Sequence, residues 1–464
     1  WVVRLRPFLV FAAVLAVGGT LLWVANLQRS DPGLGRTTAP GDADSQGQEK
    51  PVDAAPTGGA IEGQEAPLFV RIRGEASVDT YAEGEGARQG AKSRLEGNFT
   101  ALDEAYTRYR VDGLTLEVLD PVSQEVVQTL TAESGTFRVE PGGGAHALTI
   151  ADGGRMLLES VKFVRHSQHA FAPLTLEAPR LELSLSTNEL RSLDEDAVKL
   201  TGKGLSGGGR DLLFSGESGL LRLGRGGEVV MNRALGGELF FSTPNKGPLE
   251  IRQAGESGAL GSMEAIAAEG ARLIMKGDPP GQVDADTLRL IGHSVDGTVV
   301  LERAEAEGEV LVVRKDGRYS GARAQLELDD KGELETLVLE ENPTAQFTMQ
   351  RSAGAATHIL SKGQGPLSVS ISDAGTRFTL AGPGSAEALG EGLEILAEGS
   401  LQGVIDPERT RATIVARERV RVVQGASRLE TDTLEAVFLA GEVESADLYC
   451  EGPTRLARIG NGHP

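Results

Sequence analysis

Several groupings in this sequence carry residue types that chemistry uses, and their spacing decides what they can do. Gly202-Lys203-Gly204-Leu205-Ser206-Gly207 fits G-x-G-x-x-G, whose glycines let a backbone cradle a pyrophosphate. That use needs a strand before the motif and a helix after it. Here Gly208-Gly209-Arg210-Asp211 and the strand-like Leu212-Leu213-Phe214 follow, so the run predicts a turn. His166 and His169 offer two imidazoles, but no motif supplies a third ligand and their flanks read as strand. Asp194-Glu195-Asp196 predicts a solvated acidic turn. His146, His293, His358 and His463 are scattered, and no G-x-S-x-G elbow stands at a strand-to-helix turn. Cys450 is the single cysteine, which excludes an intramolecular disulfide framework and a cysteine metal cluster. Acidic residues are numerous enough to pair in space for glycoside cleavage. However, Trp1 and Trp23 both lie in or before an N-terminal apolar run, leaving the rest of the chain without an indole platform for sugar. The expectation is a protein that is not an enzyme and uses no cofactor or metal.

The elements that must carry any function follow from composition and pattern. Lys+Arg 46 against Asp+Glu 67 leave a net charge of −21, which argues against nucleic acid as a partner. With 61 glycines and only 4% aromatics, the chain predicts many turns around a core of Leu, Val and Ala. Phe8 to Leu27 is uncharged over twenty residues. At about 1.5 Å per residue such a helix matches a hydrocarbon core of roughly 30 Å. Arg4 and Arg6 before it place the short N-terminus in the cytoplasm and the remainder outside. A cleavable signal peptide is the competing reading, but the run is long and Trp23 spoils a small-x-small site ending at Ala25. Residues 1–27 are therefore expected to be a transmembrane anchor. Residues 28–66 hold scarcely a large apolar side chain between Leu34 and Ile61 and predict a flexible tether.

Beyond Pro67 apolar and polar residues alternate, as in Leu68-Val70-Ile72, Leu114-Leu116-Val118 and Leu181-Leu183-Leu185. Period two predicts strands. Breaks at Pro141-Gly142-Gly143-Gly144, Asp152-Gly153-Gly154, Gly207-Gly208-Gly209, Gly226-Gly227, Asp296-Gly297, Asp316-Gly317 and Asp330-Lys331-Gly332 predict hairpins, and with them an antiparallel all-β chain. One phrase recurs: an apolar residue, a small residue two places on, often Asp or Glu next, and a further apolar residue seven places after the first. It reads Leu130-Thr-Ala132-Glu133…Phe137, Leu176-Glu-Ala178…Leu181-Glu-Leu183 and Ile266-Ala-Ala268-Glu269…Leu273. It returns as Val283-Asp-Ala285-Asp286…Leu288-Arg-Leu290 and Leu429-Glu-Thr431-Asp432…Leu434. A repeating bent strand unit accounts for it, although the irregular intervals exclude a strict solenoid. Ser242-Thr243-Pro244-Asn245-Lys246-Gly247-Pro248 breaks the strand pattern and predicts two β-domains, 67–245 and 246–464.

Residues 174–223, with a strand, a small-acidic bend and a strand leading into Gly202-Lys203-Gly204-Leu205, resemble the lipopolysaccharide-transport protein LptC. Residues 419–438, RVRVVQGASRLETDTLEAVF, look like the OstA-type repeat of LptA. An anchor, a tether and such a β-domain is also the LptC layout, but this ectodomain is about twice the usual length. The resemblance implies antiparallel β-jellyroll (open β-roll) domains. It also implies a role as an inner-membrane, single-pass protein with its bulk in the periplasm, binding lipopolysaccharide or a related lipid and handing it on. Its implied partners are an inner-membrane ABC-type transporter and periplasmic bridge proteins of the same β-fold. Leu181, Leu183, Leu288, Leu290 and Leu434 are the residues expected to border the lipid groove. The alternative is an anchored extracytoplasmic scaffold or adhesion protein that binds protein or glycan at its surface. A carrier needs an accessible apolar interior, whereas a scaffold packs it shut.

The anchor reading has a direct test. Protease added to spheroplasts is expected to release a fragment that begins within residues 28–66. Recovery of a soluble mature protein lacking residues 1–27 would favour the signal peptide instead.

Overall fold

The computed structural model of the chain describes residues 74–458, apart from 82–90, 106, 121–122, 142–147, 151–153, 167–171, 186, 194–195, 217, 234–235, 246, 255–260, 278–279, 296, 330–331, 350–356, 390–391 and 440–445. The expected anchor and tether therefore lie outside the described residues. Strands are the regular elements of what remains, and every strand pairing is antiparallel. The all-β expectation is met. No helix among the described residues is long and apolar enough to cross a membrane.

The strands follow one another along a single ladder. It begins with β1 (Gly74–Tyr81), β2 (Ala91–Ala101), β3 (Arg108–Leu119) and β4 (Val126–Pro141), the last carrying the short β5 (Leu148–Ile150) at its end. β6 (Arg155–Arg165) and β7 (Leu174–Ser184) continue it to β8 (Glu189–Ser192), β9 (Val198–Gly202), β10 (Leu205–Ser215) and β11 (Leu220–Asn232). β7 pairs with β9 through its first half and with β8 through its second, and β10 does the same in reverse. The long strands thus bend midway, and their halves lie in two facing layers.

The same logic carries the ladder onward. From β11 one layer runs through β13 (Leu249–Ala254), β14 (Gly261–Ala267) and β17 (Thr287–Val295). The other runs through β12 (Glu238–Ser242), β15 (Ala271–Lys276) and β16 (Gly281–Ala285). Both layers meet again in the bent β18 (Thr298–Arg314) and β19 (Gly317–Leu328). They separate once more, the first layer into β20 (Leu334–Glu340), β23 (Leu367–Ser372), β24 (Gly375–Ala381) and β27 (Ser400–Ile405). The second layer takes β21 (Thr344–Met349), β22 (Thr357–Gly363), β25 (Gly384–Leu389) and β26 (Leu393–Ala397). The bent β28 (Arg411–Gln424) and β29 (Ser427–Leu439) rejoin them, and β30 (Ala446–Glu451) and β31 (Arg455–Arg458) end the first and second layer.

All the bends fall on one side of the ladder, which forms a crease, and the hairpins fall on the other, which forms two lips. The recurring sequence phrase is the crease. At most corners two successive outward residues separate the inward ones, as in Val111/Leu114, Leu158/Val161, Ala178/Leu181, Ala285/Leu288 and Thr431/Leu434, all of them buried. The inward residue on the concave side is commonly small because the layers converge there, while the convex side is solvated and takes polar residues such as Asp286 and Asp432. Three-residue spacing switches the parity of the alternation, hence the odd seven-residue offset. Some corners need one residue more, among them Ala306/Val310 and Ala416/Val420. There the extra residue forms a bulge against the neighbouring strand, with consecutive left-handed residues at Gly308-Glu309 and Glu418-Arg419.

Two sequence expectations change at the crease. Gly207–Gly209 and Gly226-Gly227 are not hairpins; they lie inside β10 and β11, where the strands cross the crease. A Cβ on Gly209 would stand 3.2 Å from the Gly227 Cα, so the two glycines allow a close approach that side chains would block. In the phrase at Ile266, the inward residues are Met263, Ala265 and Ala267, and Ile266 points half outward. With Ala and Ile at four successive positions, sequence alone does not reveal parity there.

Segment 243–248, where two β-domains were expected to divide, is the crease between β12 and β13. Both strands pair with β11 on one side and with β15 or β14 on the other. Residues 66–464 form one compact unit, and one connected apolar core reaches from Leu95 to Phe438. The described parts of 67–245 and 246–464 are thus successive stretches of one ladder. Aromatic pairs join its layers, Phe163 on Phe214 with ring centres 5.2 Å apart and Phe347 stacked on Phe378 at 4.7 Å.

Gly308 tests the corner. Its φ of +73° is left-handed, and a Cβ there would run into the Asp286 carboxylate. Gly308→Val is expected to lower stability by ~1–3 kcal/mol, read from the urea unfolding midpoint. An unchanged midpoint would show that the corner geometry is not constrained at this position.

Candidate functional site

The interior between the layers is where a lipid-facing surface was expected. All five candidate leucines reach it on the same layer: Leu181, Leu288, Leu290 and Leu434 are 0% exposed, and Leu183 is 4% exposed. They lie far apart along the ladder. Leu181 and Leu183 stand opposite Leu158 and Met156, Leu288 and Leu290 opposite Ala306 and Ala304, and Leu434 opposite Ala416. In this conformation each is packed among other side chains.

Apolar surface becomes accessible at the C-terminal end. Leu434 has Cys450 of β30 on its other side, and Ala436 has Leu448. Directly opposed residues share a face, so Leu448 and Cys450 continue the inward face of the first layer. Leu429 faces Leu456 of β31 in the same way on the second layer. Leu448 is 37% exposed and Leu456 is 76% exposed, although both sit at core positions. Tyr449 and Leu439, at 59% and 50%, add apolar surface on the outer side of the same end. Among the described residues β30 and β31 each have one strand neighbour, β29, so their other edges carry unused backbone groups. Sequence reasoning missed this end. Its only signal was the short apolar run Leu448-Tyr449-Cys450, which reads like any other strand.

The remaining candidates resolve simply. Gly202↔Leu205 closes a tight hairpin at Lys203-Gly204, as expected from the sequence, with Gly204 at φ +67°. His166 Nε2 lies 2.8 Å from Thr129 Oγ1, while His146, His169 and His463 are outside the described residues. His293 Nδ1 meets Glu302 at 2.7 Å on the outer face. Asp196 accepts from Arg180 Nε at 2.8 Å, and Asp194 and Glu195 are outside the described residues. No group of His, Cys, Asp and Glu able to hold a metal occurs among the described residues.

Charge is sorted by face. The outer surfaces carry cross-strand ion pairs, such as Arg289 between Glu264 at 2.6 Å and Glu305 at 3.1 Å, whose hydrogen bonds hold its pKa above the ordinary value. Charge is taken inside at Arg165 and at the β18–β19 hairpin, where Arg314 pairs with Asp316 at 3.1 Å and both are nearly buried. The Tyr319 hydroxyl points at Asp316 across 3.4 Å, and burial, reinforced by that carboxylate, pushes its phenol well above the ordinary range.

No protein-family model matches the chain, and no curated protein is detectably similar to it.

The contrast between packed and accessible leucines has a measurable consequence. Leu288→Asp buries an unpaired carboxylate and is expected to cost at least ~3 kcal/mol or to prevent folding. Leu456→Asp is expected to change stability by no more than ~0.5 kcal/mol, since the side chain is already solvated. Equal losses at the two positions would mean that the C-terminal end is closed in solution.

Proposed function

We propose that the chain is a non-enzymatic segment of a lipid-export bridge, anchored in the inner membrane and extending through the periplasm. It binds lipopolysaccharide or a similar amphiphile between its β-layers and hands it on to the next component. The observation that carries this reading is the C-terminal end. There the two layers present apolar core positions to solvent, beside strand edges that another β-layered protein can extend by pairing. Backbone hydrogen bonding to β30 and β31 would fix the partner's register, and its own apolar face would continue the core past Leu448 and Leu456. The outer faces, dense in exposed charge, keep such an assembly soluble. The partners in this reading are bridge proteins of the same layered kind and an inner-membrane ABC-type transporter that supplies the energy.

A second reading has an observation of its own. Leu181, Leu183, Leu288, Leu290 and Leu434 are packed shut, which is what an anchored scaffold or adhesion protein requires. Site-specific photo-crosslinking in cells separates the two. A carrier is expected to capture glycolipid from Leu448 and Leu456, and from Leu183 or Leu288 only while lipid is in transit. Capture of protein alone from all four positions would establish the scaffold.

A further inference from the structure

Three arginines cross from the lip of one layer to the lip of the other, and each donates to a backbone carbonyl at or beside a hairpin tip. Arg165, at the end of β6 in the second layer, gives Nη1 to Gly216 O in the β10–β11 hairpin of the first at 3.3 Å. Arg233, after β11 in the second layer, gives Nη2 to Gly332 O in the β19–β20 hairpin of the first at 2.9 Å. Arg409, in the β27–β28 hairpin of the first layer, gives Nη1 to Lys315 O in the β18–β19 hairpin of the second at 2.7 Å. Hairpin tips leave carbonyls outside the ladder, and a guanidinium with five donors on a long apolar stem can reach one while its stem covers the gap.

Backbone contacts reinforce the straps. A Cβ on Gly204 would fall on the Gly297 carbonyl, so these two opposing hairpins touch main chain to main chain. Arg233 also forms an isolated parallel bridge with Val299. Arg165 is 6% exposed, with its guanidinium 5.9 Å from the Phe214 ring centre.

The straps are not level. Each joins a second-layer hairpin to a first-layer hairpin several strands further along the chain, so the layers are skewed as twisted sheets must be. Beyond the β18–β19 hairpin no further strap joins the lips among the described residues, and the second layer overhangs at β31, whereas Ile395 of β26 and Val422 of β28 stay buried. This overhang agrees with Leu456, on the second layer, being about twice as exposed as Leu448 on the first.

We propose that the arginine straps are a standing seal along the lips, so that an amphiphile reaches the interior along the ladder axis through the overhanging C-terminal end and not sideways between the lips. The route rests on the lipid reading above; the seal does not.

The test uses the full chain with Cys450→Ser, and 1-N-phenylnaphthylamine as an apolar fluorescent probe. Lys315→Cys with Arg409→Cys, joined by a short bismaleimide, is expected to take up the probe as the parent does. Leu456→Cys carrying a bulky maleimide is expected to lose most of the uptake. Loss of uptake on bridging the lips, or full uptake with the end blocked, overturns the axial route. Absence of uptake in the parent itself would fail the lipid reading, and hydrogen exchange then decides the seal. In the R165Q/R233Q/R409Q variant, amides of the hairpins at 215–219, 315–317 and 332–334 are expected to exchange about tenfold faster, with strand amides at the crease unchanged. Unchanged hairpin exchange overturns the seal.

Discussion

A strand that serves two facing layers must present apolar side chains to the same interior on both sides of a sharp bend, and everything else in this protein depends on how that bend is made. Two successive residues point outward at the corner, the last inward residue before it is often small, and alternation resumes with its parity switched. At Ala178/Leu181 and Ala285/Leu288 this needs no left-handed residue other than what the strand already permits. At Ala306/Val310 and Ala416/Val420 an additional residue is absorbed by consecutive left-handed positions, which bend the strand and fix its register against the next. The crease therefore sets where each strand enters the second layer, and hence which hairpins confront one another across the lips.

A ladder built this way solves most of the edge problem of β-sheets internally, because each strand is the template for the next. The unsolved edges are displaced to its ends. At the C-terminal end the exposed inward positions Leu448 and Leu456 show that core and edge run out together. An open backbone edge and an open apolar face at the same place suit a partner that continues both layers. Along the lips, by contrast, hairpins cannot hydrogen-bond as strands, and side chains take over the closure. Arginine fits that task because it satisfies a carbonyl while its methylenes stay in apolar contact.

The acidic character of the chain belongs to the outside of the layers. Arg289 with Glu264 and Glu305, and Arg272 with Asp284, are cross-strand pairs on solvated faces, where such pairs add little stability but limit lateral association. Besides the buried Arg165, the exception is Arg314–Asp316 with Tyr319 at the β18–β19 hairpin, beside the carbonyl that Arg409 caps. A buried pair contributes most when further hydrogen bonds complete it, and this one lies where two hairpins of opposite layers must stay in register.

The sequence by itself determined the class of the fold, because period-two alternation and Gly-Asp breaks are local signals that each strand and each turn writes into its own residues. It also determined the recurring corner, since small size on the concave side and polarity on the convex side are demands made on single positions. Parity at Ala265–Ala268, where four successive residues are Ala or Ile, and the role of Gly207–Gly209 and Gly226-Gly227 were decided only by the tertiary structure. Those glycines read as hairpins in one dimension and become a close crossing of two strands in three. Whether Leu181 and Leu288 are packed or open, and that Leu456 is exposed at a core position, was likewise beyond the sequence, because burial depends on whether another layer lies opposite. The straps of Arg165, Arg233 and Arg409 join residues up to 99 positions apart, and only the skew of one twisted layer on the other brings them together.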